Sequence, residues 1–247
     1  MKKIIYLSTI LSTLLFTSCD FLDGDEGSYA DSAAYASTHI VESLSDEDTE
    51  MYYFTTDAGQ KMLLIDDAMS SSYTFTEDER IVMYYRVIED YTTEAGKLLE
   101  GAAYDCNYGV RLFGVEEVLM GKSATVSTEE QSDAIANNKL TYIYNNVGYS
   151  NNYINLCAAL TTSDIDNVEI YLVENLMVDP NEYENGYAFF ELRYNSGKST
   201  TSDRTYERYI SLSTADFEQK IDGMNGIILR ATTMNNDEID IKIEFNL

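Results

Sequence analysis

Tryptophan is absent from this chain, proline and histidine each occur once, cysteine occurs three times, and 16 lysines and arginines face 43 aspartates and glutamates. The shortage of basic residues excludes nucleic acid as a partner, because phosphate binding needs concentrated Lys and Arg. The one histidine, His39, has no second imidazole and no nucleophile at motif spacing, so it reads as an edge-strand or loop residue and not as a metal ligand. No Gly-x-Ser-x-Gly, His-Glu-x-x-His or Cys-x-x-Cys occurs. Gly121-Lys122-Ser123 ends like a P-loop, but the position that loop reserves for its first glycine is Glu116, whose carboxylate would repel a phosphate. Carboxylates are so numerous that a glycosidase-type pair could be picked anywhere and decides nothing. The expectation is a protein that is not an enzyme and that carries no catalytic residue, cofactor or metal ion. Long hydrophobic runs are missing as well. The apolar stretch Ile4 to Phe16 has 13 residues, well short of the roughly 20 that span a bilayer.

That short stretch follows Lys2 and Lys3 and ends at the small residues Thr17 and Ser18, the three parts of an export signal. Cys19 comes next, and Leu15-Phe16-Thr17-Ser18-Cys19 resembles the lipobox of bacterial lipoproteins. The resemblance implies a signal peptide over 1–18 and a covalent lipid on Cys19, whose two or three acyl chains make a stable tether. Cleavage removes two lysines and no acid, taking the formal charge from −27 to −29. Asp20 to Gly27 is acidic, and a Ser/Ala/Tyr-rich run without hydrophobic period continues to Ser37, so 19–37 reads as a flexible acidic tether. Asp23, Asp25 and Gly27 lack the further ligands of a calcium loop. An acidic cluster behind the lipidated cysteine resembles the signal that sends Bacteroidota lipoproteins to the outer face of the outer membrane. The expected location is therefore the outer membrane, lipid-anchored and surface-exposed, with a periplasm-facing anchor as the alternative.

Beyond the tether the periodicity is that of strands. Ile239, Ile241, Ile243 and Phe245 alternate with polar residues, and the same period of two recurs at Ile154, Leu156, Ala158 and Leu160, at Val168, Ile170 and Leu172, and at Ala188, Phe190, Leu192 and Tyr194. Arg208, Ile210 and Leu212 follow it less cleanly. Polar turns separate these runs, which predicts an antiparallel β-sandwich over 138–247. The preceding part differs. Met51 to Thr55 and Gln60 to Ile65 flank Asp57-Ala58-Gly59 as a hairpin, Arg80 to Ile88 is apolar on both faces, and a further strand is expected from Tyr104 to Phe113. A strand apolar on both faces suits a small closed barrel or a covered sheet, placed at 38–120. The Ser/Thr/Glu/Asn-rich segment 121–137 reads as a linker, and Ala215 to Ile221 as one or two helical turns with Thr214 as a possible cap.

The order of these features, with Glu79-Arg80-Ile81-Val82-Met83-Tyr84-Tyr85-Arg86-Val87, Asn138-Lys139-Leu140-Thr141-Tyr142-Ile143, Asn152-Tyr153-Ile154-Asn155-Leu156 and Tyr187-Ala188-Phe189-Phe190-Glu191-Leu192-Arg193-Tyr194-Asn195, resembles the NigD-like lipoprotein family. The resemblance implies an all-β chain with an N-terminal OB-like small barrel followed by the sandwich, in a Bacteroidota cell envelope. The family takes its name from a bacteriocin gene cluster, and it implies no particular molecular activity.

Cys106 and Cys157 remain after lipidation. An oxidising envelope permits a disulfide between them, but both sit in apolar strand segments of different domains and are expected to be free, buried thiols. Tyr142, Tyr144, Tyr149 and Tyr153 are interleaved with Asn145, Asn146, Asn151 and Asn152, a mixture of stacking faces and amides that suits protein or glycan ligands. These four tyrosines are the candidate ligand-facing residues of an envelope binding protein whose partner is a protein or, in the alternative, a glycan of a surface nutrient-uptake system.

Overall fold

The computed structural model describes Ile4–Ile5 and residues 32–44, 50–135, 137–179, 182–197, 203–234 and 238–245. The chain divides into two compact units, residues 12–118 and residues 119–247 joined by 1–11. Cys19 and the tether to residue 31 lie outside the described residues.

Five strands build the first unit: β1 (Ser32–Glu42), β2 (Glu50–Thr56), β3 (Lys61–Asp67), β4 (Arg80–Asp90) and the first part of β5 (Tyr108–Val126). β1 pairs antiparallel with both β2 and β4, β2 with β3, and β4 with β5, while β3 and β5 run parallel. The strands thus close into a ring in the order β1-β2-β3-β5-β4, the strand order of an OB-like fold. Ala36, Phe54, Met62, Ile81, Met83, Tyr85, Val110 and Leu112 fill it, with Phe75 inserted from the segment before β4. The neighbouring positions Leu63 and Val82 are buried too. Leu63 packs with Tyr91 and Cys106 of the segment between β4 and β5, which covers the outside of β3 and explains apolar residues on both of its faces. Gly59, at φ 76°, closes the β2–β3 hairpin in a conformation that side chains resist. At the same turn Asp57 accepts a 2.7 Å bond from the Arg80 guanidinium, in a pair only 10% and 3% exposed.

Ser32–Ser37, expected in the tether, are the first half of β1. Ala33, Ala34 and Ala36 are too small to show a hydrophobic period, yet Tyr35, Ala36 and Thr38 are buried. The strand expected from Tyr104 starts at Tyr108, because Glu100–Tyr104 is a 3-10 turn that Asp105 ends at φ 55°. It then continues to Val126. The first six residues of the expected linker are therefore strand, and helix α1 (Glu129–Ala134) follows.

The second unit contains the rest of β5, β6 (Tyr142–Ile143), β7 (Gly148–Ser150), β8 (Tyr153–Thr162), β9 (Glu169–Asn175), β10 (Tyr187–Asn195), β11 (Arg204–Ser213), α2 (Glu218–Ile221), β12 (Gly226–Thr232) and β13 (Glu238–Glu244). One sheet runs β5-β9-β10-β12-β13. The other holds β11, β8 and the short β6 and β7. Ile154, Leu156, Ala158 and Leu160 of β8 face Ile170, Leu172, Phe190, Leu192, Ile227 and Leu229 of the first sheet, and each such side chain contributes about 1.5–3 kcal/mol on full burial. Within this all-β class the sheet is mixed. β5–β9 and β10–β12 are parallel, since β11 leaves for the other sheet between β10 and β12 and makes the crossover a parallel pair requires. Ile4 and Ile5 run parallel to Asp240 and Ile241 of β13.

β10 is covered on its outer face as well. Tyr183 stacks on Phe189 at 4.8 Å, the Arg230 guanidinium lies 4.7 Å from the Phe189 ring centre, and the Lys242 ammonium sits 4.2 Å from the Tyr187 ring centre. Arg193 donates to Ser132 of α1. The expected turns at Ala215 to Ile221 exist, but the Thr214 hydroxyl does not cap them; it donates to the Asn152 carbonyl at 3.0 Å.

Candidate functional site

Strand alternation decides which residues of the second sheet face outward. With Ile154, Leu156, Ala158 and Leu160 in the core, Tyr153, Asn155, Cys157, Ala159 and Thr161 occupy the opposite face of β8, where Asn155 and Ala159 are buried and the other three are half-buried. The antiparallel register sets Ser213, Ser211, Tyr209, Glu207 and Thr205 of β11 beside them, and Tyr142 of β6 opposite Ala159. Cys157 and Ala159 thus form a floor of small side chains, with Tyr142 and Tyr144 on one side and Glu207 and Tyr209 on the other.

Tyr142 and Tyr144 meet edge to face at 5.1 Å, a favourable arrangement of their quadrupoles. The Tyr144 hydroxyl donates to the Glu207 carboxylate, and its backbone amide is held by the Cys157 carbonyl at 3.0 Å. Tyr142 stays 50% exposed. Next to it Thr141, Thr161 and Thr205 carry hydroxyls linked at 2.8 and 3.1 Å, from the residue before β6 across β8 to β11. The result is an aromatic edge beside a carboxylate and a row of hydroxyls, equipped for stacking and hydrogen bonding.

Tyr153 lies on this face at its far end. Tyr149 does not join it: its ring packs on Phe245 at 4.6 Å and its hydroxyl reaches Asn152 and Thr214, against the core. The structure therefore brings together Tyr142 and Tyr144 out of the four, and adds Glu207 and Tyr209, which only the β8–β11 register reveals. Cys157 is a half-buried thiol in no disulfide, on the floor of this face. Cys106, in the first unit, is free and buried, and its burial pushes the thiol up to about 11.

Gly121-Lys122-Ser123 is strand and not loop. A side chain at Gly121 would meet the Leu212 Cδ2 at 2.3 Å, so glycine is there for close packing, and Lys122 pairs with Glu169 at 2.6 Å. His39 lies on β1, outside the tyrosine face, and is flanked by Glu77 and Asp78.

No curated protein matches the sequence. Among solved structures, a protein of unknown function (DUF1344) from Bacteroides vulgatus ATCC 8482 is similar at 22% identity and TM-score 0.65, over 87% of this chain and 90% of that one. A "Putative lipoprotein" from Bacteroides fragilis NCTC 9343 is similar at 11% identity and TM-score 0.56, over 87% and 97%. A NigD-like immunity protein from Bacteroides caccae ATCC 43185 is similar at 13% identity and TM-score 0.50, over 84% and 90%. At these identities the likeness shows the fold alone. Residues 123–245 match the model of the NigD-like C-terminal beta sandwich domain, the region in which the two sheets pack, and the chain belongs to the NigD-like family.

Proposed function

We propose that this is a lipid-anchored envelope protein, held in the outer membrane through Cys19, and that it is a binding protein and not an enzyme. Its ligand is a protein that docks on the outer face of β6, β8 and β11. The carrying observation is the exposed Tyr142 ring set against Tyr144 beside the small side chains of Cys157 and Ala159, since aromatic residues are typical anchors of protein interfaces. The name of the similar Bacteroides fragilis protein supports the lipid anchor. The similar Bacteroides caccae protein is named an immunity protein, which agrees with a protein as the partner.

Two measurements test this. Labelling cells with a clickable palmitate analogue should mark the wild-type chain and not Cys19→Ala, and added protease should digest the protein on intact cells if the anchor is surface-exposed. A photocrosslinking amino acid at position 142 should give a discrete adduct in cells, while the same group at Glu94 gives none; identical patterns at both positions would sink the reading. The Thr141, Thr161 and Thr205 hydroxyls beside the tyrosines and Glu207 favour a second reading, a glycan-binding accessory protein. Wild-type binding on a glycan array, lost in Tyr142→Ala, would replace the first reading with the second.

A further inference from the structure

The far half of β1 in the first unit holds a different constellation. β1 pairs with β4 only as far as Ser37, opposite Arg80, so residues beyond it have a free side. The segment before β4 folds along that side. Thr38 donates to the Glu79 carbonyl at 2.9 Å, Asp78 donates to the Thr38 carbonyl at 2.9 Å, and the Ile40 amide donates to the Glu77 Oε2 at 2.6 Å. One oxygen of Glu77 thus replaces a missing strand, while Oε1 faces the imidazole of His39. Asp78, at φ 59°, turns its carboxylate toward the same nitrogen from the left-handed region that aspartate tolerates.

We propose that His39, Glu77 and Asp78 bind one divalent transition-metal ion of the zinc class. His39 Nδ1 lies 3.3 Å from Glu77 Oε1 and 3.9 Å from Asp78 Oδ1, and the three ligand atoms all fall within 4.8 Å of one another. Ligands about 2.1 Å from a tetrahedral zinc stand roughly 3.4 Å apart, a value these separations bracket. Two groups outside the trio fix the ligands: the Ile40 amide holds Glu77, and the Tyr53 ring stacks on His39 at 4.6 Å and 24°. Two carboxylates with one neutral imidazole carry the −2 charge that balances a divalent cation. The nitrogen ligand favours zinc, cobalt or nickel over calcium and magnesium, which take oxygen. Solvent reaches the site, leaving a coordination position for water or for a side chain of a docked partner. A bound ion would also clip the segment before β4 to β1.

The test is calorimetric titration of zinc into the full-length, chelator-stripped lipoprotein in detergent, with cobalt absorption as a spectroscopic check. One site should appear in the wild type, with a tetrahedral cobalt band. His39→Ala should remove it, and Asp78→Asn, at a side chain 83% exposed and so harmless to folding, should weaken it about 10-fold or more. Zinc should raise the melting temperature of the wild type and leave that of His39→Ala unchanged, with calcium in excess failing to displace it. Equal zinc binding by wild type and His39→Ala, or no binding up to about 1 mM, would overturn the proposal.

Discussion

The two units solve the problem of burying strands differently. The sandwich keeps its interior apolar and sets its charges on the outer faces, where Arg193, Arg230 and Lys242 lie along covered aromatic or acidic neighbours. The ring has too little interior for that separation. It places the Arg80–Asp57 pair among buried residues, takes Phe75 from a connecting segment, and lets buried tyrosines donate to carboxylates, as Tyr91 does to Glu89 at 2.6 Å. Both units thus hold buried ion pairs, but those of the sandwich lie outside a large apolar layer, whereas that of the ring sits at the hairpin turn of a much smaller core.

Single substitutions can break this contrast. Phe190, fully buried and packed on Phe217 at 4.9 Å, should cost about 4 kcal/mol when changed to alanine, read from urea denaturation of the second unit. In the ring the corresponding weak point is electrostatic. Asp57→Ala leaves the Arg80 guanidinium buried without its carboxylate and should cost about 3 kcal/mol, while the double change to Asp57→Leu with Arg80→Met should restore most of it. If the double variant is no better than the single, the pair is not what holds the turn.

The sandwich was the more legible unit, and the reason is physical. Two layers with one face each produce strict alternation, so β8, β9, β10, β11 and β13 can be read from their inward Ile, Leu and Phe. A ring covered from outside loses that alternation, and β1 hides behind alanines that bury without raising local hydropathy. Helix α1 is marked only by a short local signal: Thr128 to Gln131 has the Thr-x-x-Gln form of a capping box, and the Thr128 hydroxyl accepts from the Gln131 amide at 3.3 Å. The tyrosine face was half visible, since Tyr142 and Tyr144 are near neighbours in sequence while Glu207 comes from a distant strand. The trio around His39 was invisible, because 38 residues separate the histidine from Glu77.

Alkaline pH sharpens the comparison further. Burial, aided by Glu89 and Glu79, raises the Tyr91 and Tyr73 hydroxyls well above the usual phenol value, burial raises Tyr85, and Cys106 stands at about 11. Each group keeps its proton in the fold after the unfolded chain has lost it. Their stabilisation is therefore complete below the ordinary thiol and phenol values of about 9 to 10 and declines as pH climbs through the raised ones. Tyr171 and Tyr194 are the corresponding phenols of the second unit. Hydrogen exchange should thus show ring peptides opening at lower pH than sandwich peptides. The same shift makes Cys106 roughly 100-fold poorer in thiolate than an ordinary thiol, so iodoacetamide at mildly alkaline pH should label the native ring cysteine far more slowly than the same residue in the unfolded chain. The smallest effect belongs to α1, where Thr128→Ala should cost about 1 kcal/mol, measured as a lowered midpoint of the second unit.

Strand β5 bears on how this protein can change over evolutionary time. Its residues pair with β3 and β4 as far as Glu117 and with β9 from Lys122 onward, and the four residues between are still strand. Most two-domain chains offer a loop at which recombination can exchange one half for another. A breakpoint here would fall inside a continuous strand, close to Gly121 and the Lys122–Glu169 pair, and any foreign half would have to supply a strand in matching phase. The ring and the sandwich are therefore expected to be inherited together, and to diversify by substitution on their faces instead of by exchange of domains.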